Sequence, residues 1–187
     1  FYRGNLNNKK SKTQAALSLA GHQPNRLFRN NGDNTFTEVG YLTDLDSLAD
    51  GYMATTVSFN KDENLDLVLR NADPGYKIDQ FPPLQVFKNL GTTKNHSIML
   101  KLIGTVSNRD AVGTQVEGNI GGKNFVSQVL GNSGTVQSEK LIHFGLGKHN
   151  QMDSIKITWP SGKVQNFKNL TAGFHVIEES KNQLSLK

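Results

Sequence analysis

The sequence predicts an all-β protein, and three observations carry that prediction. First, glycine-marked turns separate alternating apolar and polar runs in the C-terminal third, at Asn108–Gly113, His143–Gly147 and Ile157–Val164. Second, Asn31-Gly32 lies between two β-prone runs, which is a strong hairpin signal because both residue types accept positive φ. Third, no segment has a convincing apolar period of about 3.6 residues, which an amphipathic helix requires. Short strands with regular turns are typical of sandwiches and barrels.

In the first half of the chain the predicted elements are short strands. Residues 1 to about 24 are polar with one modest apolar patch, and both a short helix and a strand remain open there. The run Leu27–Val39 predicts the hairpin. In the strand 65–70 the leucines face one way, while Asp66 and Arg70 face the other. The strands of this half are predicted at 52–58, 65–70 and 84–88.

From residue 96 onward the predicted strands follow one another closely, with glycine-rich turns between them. Ile155, Ile157 and Trp159 form one buried face, because successive side chains of a strand point to opposite sides. By the same alternation Lys156 and Thr158 point to water. These strands are predicted at 98–103, 113–120, 123–130, 140–144, 153–159, 163–168 and 174–178.

One internal repeat is visible in the sequence. Leu27–Gly32 and Val86–Gly91 match position by position in character, as apolar, Phe, basic, Asn, any residue and Gly. A repeated unit of this kind predicts stacked β units such as the blades of a propeller.

Length and charge bound the possible functions. A chain of 187 residues fits one domain or two small ones and can bury a core. The formal net charge of +5 permits anionic partners. However, the basic residues are scattered apart from Lys9, Lys10 and Lys12, so a soluble surface with mild excess charge is favoured over nucleic-acid binding.

Several classes of site and segment are excluded by what the sequence lacks. The absence of cysteine excludes disulfides, thiolate zinc sites and cysteine nucleophiles. No apolar run approaches the roughly 20 residues of a membrane-spanning helix. The sequence begins at Phe1 without a signal-peptide pattern, which predicts a processed chain or a piece of a longer one.

Familiar enzyme motifs also fail on spacing. Gly131-Asn132-Ser133-Gly134 lacks the glycine spacing of a nucleophile elbow, and no strand-to-helix turn surrounds it. Gly145-Leu146-Gly147-Lys148 is too short for a phosphate-binding loop and opens no helix. Neither segment therefore predicts a catalytic centre.

The C-terminal motifs resemble a known family. Asn108–Gly113, His143–Gly147 and Trp159–Lys163 match the ASPIC/UnbV domain in order and spacing. The resemblance covers about residues 96–180 and is specific. It implies a β domain for which no catalytic residues are agreed.

A second resemblance lies upstream. Asn25–Asp33 and Asn64–Val68 resemble FG-GAP/VCBS repeats, which build β-propellers. Together the two resemblances point to the C-terminal end of cartilage-acidic-protein-type proteins, which are secreted or cell-surface in character. They imply a partial FG-GAP/VCBS-like β-propeller unit at 1–92 followed by a β-sandwich-like ASPIC/UnbV domain at 93–187. The implied roles are adhesion, calcium binding and contacts with extracellular matrix or polysaccharide.

The best metal candidate is a loop with an oxygen-bearing side chain at every second position. Such a loop can turn these side chains toward one hard cation, and FG-GAP repeats bind calcium in this place. Ser58 stands where the resemblance implies the first Asp, and Glu63 stands where it implies a glycine. The alternative is a solvated turn whose side chains cap backbone amides. The predicted Ca²⁺ ligands are Ser58, Asn60, Asp62, Asn64 and Asp66.

Two further groups have an open interpretation. Asp44, Asp46 and Asp50 either complete a cation site or form a polar loop. The second group is a turn that acts either as a recognition loop or as a structural corner held by an ion pair or an Asx-turn, and the structural role is favoured. Its residues are Asn108, Arg109, Asp110 and Gly113.

These observations predict a non-catalytic module located in the periplasm, at the cell surface (associated with the outer membrane) or outside the cell. Its expected partner is a protein, the remaining propeller blades of a parent chain, or a polysaccharide, because an incomplete propeller exposes strand edges that invite pairing. One alternative is a lyase or hydrolase acting on polysaccharide, and another is a binder of anionic polymers. A groove for the enzyme alternative would draw on Tyr41, Tyr52, Tyr76, His22 and Arg70.

Overall fold

Strands make up nearly all the regular structure of the chain in a computed structural model. Within the described residues there are thirteen strands, one 3-10 turn at Gly40–Leu42 and no α-helix, so the all-β prediction is confirmed for this part. None of these residues forms a helix long and apolar enough to cross a bilayer. The structure describes residues 24–47, 51–71, 84–91, 94–132, 134, 136–180 and 185–186.

The chain divides into two compact units. The described residues of the first unit fall within 1–54 and 68–86, and those of the second within 55–67 and 87–187. Residues 55–67 thus belong to the second unit, although they lie before residue 92, where the sequence places the domain boundary. That boundary stays a prediction. The predicted helix or strand before residue 24 and the basic cluster at 9–12 lie outside the described residues.

The N-terminal strands form a two-stranded sheet, β1-β2, and a three-stranded sheet ordered β3-β4-β5. The predicted hairpin is confirmed as the antiparallel pair β1-β2. Its turn differs from the expected one, because positive φ occurs at Gly32 and Asn34 and not at Asn31. The strands are β1 (Phe28–Asn30), β2 (Phe36–Glu38), β3 (Gly51–Val57), β4 (Asp66–Asn71) and β5 (Leu84–Phe87).

The two copies of the repeat share a local geometry. The Asn30 side-chain oxygen accepts the N–H of Gly32 at 2.8 Å, and Asn89 accepts that of Gly91 at 3.0 Å. Both glycines have positive φ, at 85° and 58°, which a residue with a Cβ resists. Each copy therefore ends a strand with the same side-chain-to-backbone turn.

The second unit is built on two four-stranded sheets, ordered β11-β10-β7-β8 and β13-β12-β6-β9. Neighbouring strands in these sheets are antiparallel, except that β12 and β6 are parallel. The strands are β6 (His96–Ile103), β7 (Gln115–Ile120), β8 (Lys123–Gln128), β9 (Leu141–Gly147), β10 (Gln151–Thr158), β11 (Val164–Thr171), β12 (Gly173–Glu178) and β13 (Ser185–Leu186).

One hydrophobic cluster contains inward side chains from both of these sheets, among them Ile98 of β6 and Ile157 of β10. Alternation explains its composition, because every second residue of each strand points toward the cluster. Ile155, Ile157 and Trp159 are buried and Lys156 is exposed, as predicted.

Trp159 links the end of β10 to the next strand. Its indole N–H donates to the Gln165 side-chain oxygen at 2.5 Å, and the Gln165 amide donates to the carbonyl of Glu178 at 3.1 Å. The turn after it closes through the Gly162 N–H, which donates to the Trp159 carbonyl at 2.9 Å. The polar edge of the indole is thus satisfied inside the core, as a buried Trp requires.

The core makes a direct stability prediction. Ile157→Ala should lower the free energy of unfolding by about 2–5 kcal/mol, because the cavity adds to the lost transfer energy. Lys156→Ala, one residue away on the solvent side, should cost less than about 1 kcal/mol. Urea unfolding of both variants measures this. Equal losses would contradict the assignment of the two faces.

Candidate functional site

The predicted calcium loop joins β3 to β4, with Ser58 and Asp66 at its base. Ser58 is buried, and its hydroxyl oxygen has no hydrogen-bond partner within the described part of the chain. Its backbone N–H donates to the Glu139 carboxylate at 3.3 Å. A buried hydroxyl without a partner is costly, so this oxygen is available to a ligand.

Asp66 closes the loop from inside the protein. The residue is only 1% exposed. Its two carboxylate oxygens accept the backbone N–H groups of Phe59, at 3.2 Å, and Asn89, at 2.8 Å. Two backbone donors therefore hold the charge of Asp66 in the interior.

Asn60, Asp62 and Asn64 meet at the exposed tip of the loop. The Asp62 carboxylate accepts the Asn60 side-chain amide at 2.6 Å and the Asn64 N–H at 3.2 Å. The hydrogen bond from Asn60 is the main cause that lowers the pKa of Asp62. The spacing of two residues thus brings these three side chains together. Their hydrogen bonds are those expected of the alternative interpretation, a solvated turn whose side chains cap backbone amides.

Glu63 adopts the conformation that a glycine was expected to supply. Its φ is 70°, and that of Lys61 is 56°. A non-glycine residue in this region costs about 1–3 kcal/mol and needs support from its surroundings. Ser97 supplies that support, since its N–H donates to the Glu63 carboxylate at 3.2 Å and its hydroxyl donates to the Glu63 carbonyl.

The loop also covers the outward face of the sheet that contains β6, β9 and β12. Lys61 Nζ lies 4.8 Å from the centre of the Phe174 ring, and His143 Nε2 lies 3.4 Å from the Glu63 carbonyl oxygen. Met99 pairs with both Phe174 and His143, and it is completely buried although it lies outside the main hydrophobic cluster. Burial lowers the pKa of His143, so the neutral ring is favoured there.

The predicted corner at 108–113 is held by Asn108. Its side-chain oxygen accepts the N–H of Val112, and its amide donates to the Val112 carbonyl, both at 2.9 Å. The side chains of Arg109 and Asp110 are exposed, and the described residues show no ion pair between them. Gly113 has a φ of 93°, which fits a glycine at this corner. The corner is thus closed by an amide side chain and presents two charged groups to solvent.

Glu179 connects residues 105–107, which lead into this corner, to the Pro160-Ser161-Gly162 turn, and sequence reasoning missed it. The residue is completely buried. One carboxylate oxygen accepts three successive backbone N–H groups, and the other accepts two serine hydroxyls. The amide donors are Thr105 at 2.8 Å, Val106 at 2.7 Å and Ser107 at 2.7 Å, and the hydroxyl donors are Ser107 at 2.8 Å and Ser161.

These donors decide the ionisation of Glu179. Burial is the largest single effect and raises its pKa. The hydrogen bond from Ser161 and those from the three amides lower the pKa, and together they outweigh burial. The pKa of Glu179 is lowered from 4.5 to about 2. The charged form is therefore the native one across the neutral range.

Both turns lie in the part of the chain that matches a known protein family. Residues 104–184 match the family model described as ASPIC and UnbV. This segment is an ASPIC/UnbV domain. The predicted resemblance is confirmed for it, and Glu179 is a buried carboxylate of this ASPIC/UnbV domain. No curated protein matches the chain. The likeness of upstream segments to FG-GAP/VCBS repeats stays a prediction.

The remaining candidates divide between described and undescribed residues. Asp44 and Asp46 are exposed, and Asp44 has a positive φ of 55°, while Asp50 lies outside the described residues. Within the described part, no group of three or more His, Asp or Glu has the arrangement of a metal site. A cation in the loop 58–66 would therefore need hydroxyl and amide oxygens beside the two carboxylates of the loop.

Glu179 makes the ASPIC/UnbV domain sensitive to acid. Because its folded pKa lies below its unfolded value of 4.5, its contribution is present above pH 4.5 and lost as the pH falls toward 2. Glu179→Gln should cost about 1–3 kcal/mol at pH 7, and its difference from wild type should shrink over that pH window. Urea unfolding at stepped pH measures this, with Asp110→Asn as the exposed control. A difference that stays constant between pH 6 and pH 3 would contradict the assignment.

Proposed function

We propose that this chain is a non-catalytic binding and assembly module that acts in the periplasm, at the cell surface or outside the cell. The observation that carries the proposal is the apolar surface of the first unit. Phe28 is 58% and Phe36 is 61% exposed, and the hairpin register puts both on one face. Large exposed apolar patches mark interaction sites in soluble proteins.

The interior of the first unit supports the same proposal. Among its described residues only Leu45 and Leu69 are buried apolar side chains, and both lie at 8% exposure. A two-stranded hairpin such as β1-β2 is marginally stable by itself, and a third strand or a covering element stabilises it. The large apolar side chains that are exposed among its described residues are Leu27, Phe28, Phe36, Tyr41, Leu42, Tyr52, Leu84 and Val86.

A polypeptide suits this surface best. Aromatic and aliphatic side chains are enriched at the centres of protein interfaces, and open strand edges pair with other chains. We propose either a separate partner protein or further propeller blades of a parent chain. In this proposal the first unit is propeller-like, and the cluster shared by two four-stranded sheets supports a sandwich-like second unit. The location outside the cytoplasm rests on the resemblance alone.

The enzyme alternative has less support. Of its five groove residues, Tyr41, Tyr52 and Arg70 are exposed, while His22 and Tyr76 lie outside the described residues. The two exposed tyrosines contribute equally well to a binding surface, because a tyrosine offers an apolar ring and a polar tip.

Calcium is the proposed cofactor, and the loop 58–66 fits it in three respects. The buried Ser58 hydroxyl has no hydrogen-bond partner among the described residues, the Asp66 carboxylate is buried at the loop base, and Glu63 has the positive φ of the turn position. Hard cations prefer oxygen ligands of these types. The residues that would hold the ion are Ser58, Asn60, Asp62, Asn64 and Asp66, and the ion would stabilise the loop.

The apolar surface can be tested by photo-crosslinking. A benzoylphenylalanine placed at Phe36 should crosslink to one polypeptide in the cells that make the chain. The same group at Arg29, which lies on the other face of the hairpin, is the matched control. Phe28→Ser together with Phe36→Ser should reduce dye binding to exposed apolar surface and release the partner. Equal crosslinking from both positions, or none from Phe36, would argue against the proposal.

The calcium proposal has its own test. Metal-stripped protein should release or absorb heat on titration with Ca²⁺, and millimolar Ca²⁺ should raise its Tm by roughly 2–8 °C. Asp62→Asn should remove most of this gain, since it deletes one of two carboxylates. Asp110→Asn, outside the loop, should retain it. No heat and no change in Tm for wild type would end the proposal.

A further inference from the structure

A trough of about 600 Å³ crosses the outward face of the sheet β11-β10-β7-β8. Its first wall is one cross-strand row of paired residues, Val126, Glu117, Lys156 and Asn166. The trough runs perpendicular to the strands, over the backbone of Gly118 and its neighbours. A linear ligand can therefore lie across all four strands, which are spaced about 4.8 Å apart.

The second wall carries neutral hydrogen-bonding groups and one lysine. This row is formed by Asn124, Asn119, Ser154 and Lys168. The Asn119 amide donates to the Asn124 side-chain oxygen at 2.7 Å, which fixes the orientation of both groups. Amides and hydroxyls both donate and accept, and so match the hydroxyls of a sugar chain.

The charges in the trough favour an anion. Lys156 Nζ lies 3.0 Å from a Glu117 carboxylate oxygen, so the single acidic side chain of the lining is neutralised. Lys168 is exposed, and no acidic group pairs with it among the described residues. The trough therefore carries an excess positive charge on a chain whose net charge is +5.

We propose that this trough binds a segment of acidic polysaccharide, with a carboxylate beside Lys168 and sugar hydroxyls against Asn119, Ser154 and Asn166. The proposal rests on the proposed binding role and adds a second surface to it. A protein partner fits less well, because lysine and glutamate are depleted at the centres of protein interfaces and the two walls carry Lys156, Lys168 and Glu117. The single carboxylate of the lining does not supply the pair that glycoside hydrolysis generally uses.

The test is an NMR titration of the full chain with oligogalacturonate in EDTA. Shifts of backbone amides should be confined to β7, β8, β10 and β11. Fully methyl-esterified oligomers, which keep the sugars and lose the charges, should bind at least about tenfold more weakly. Short poly-glutamate tests the peptide alternative and should also bind weakly. Equal response to the ester, a stronger response to poly-glutamate, or shifts elsewhere would overturn the proposal.

Two variants separate this surface from general basic attraction. Lys168→Ala should weaken oligogalacturonate binding by about tenfold, because it removes the charge-assisted hydrogen bond. Ser154→Tyr should block the trough by volume, and unfolding curves of both variants check the fold. Lys163→Ala, an exposed lysine outside the lining, should bind as wild type does. A similar loss of oligogalacturonate affinity in Lys163→Ala, or no loss in either trough variant, would overturn the proposed polysaccharide site.

Crosslinking at Phe36 does not depend on these variants. The proposed polypeptide surface and the proposed polysaccharide site can therefore fail independently of one another.

Discussion

The geometry of the ASPIC/UnbV domain depends on the buried charge of Glu179. Its carboxylate is the acceptor for three successive backbone N–H groups and for two hydroxyls from separate turns. Without it, three backbone N–H groups and two hydroxyls would lose the charged acceptor that they share. The Ser161 N–H also donates to the Ser107 hydroxyl at 3.0 Å, so both turns are fixed to one another and to the end of β12.

The loop 58–66 uses the same principle. Asp66 is a buried carboxylate whose charge is held by backbone donors from two segments. Glu63 keeps an unfavourable φ because Ser97 binds both its side chain and its carbonyl. A loop held in this way is preorganised, which lowers the entropy cost of binding a cation or a partner.

The two units differ in how much apolar surface they bury and in the side chains that they expose. The second unit buries one apolar cluster with side chains from both of its four-stranded sheets, and it has a trough lined by lysine, amide and hydroxyl groups on the outward face of one sheet. The first unit buries few apolar side chains and exposes aromatic ones. These surfaces differ in chemistry, and this difference is the reason for proposing a polypeptide ligand for one and an acidic polysaccharide for the other.

The sequence by itself determined the strands, the glycine corners and the inward face of β10, because alternation and positive φ are local properties. It also indicated the ASPIC/UnbV family from the turns at Asn108 and Trp159. Only the tertiary structure decided that Asp66 and Glu179 are buried and that Met99 has a covered face. Glu179 lies in phase with the buried residues His175 and Ile177, which is the one local sign of its position. A carboxylate is stable inside a protein only if distant residues supply its donors, and no local pattern reveals those partners.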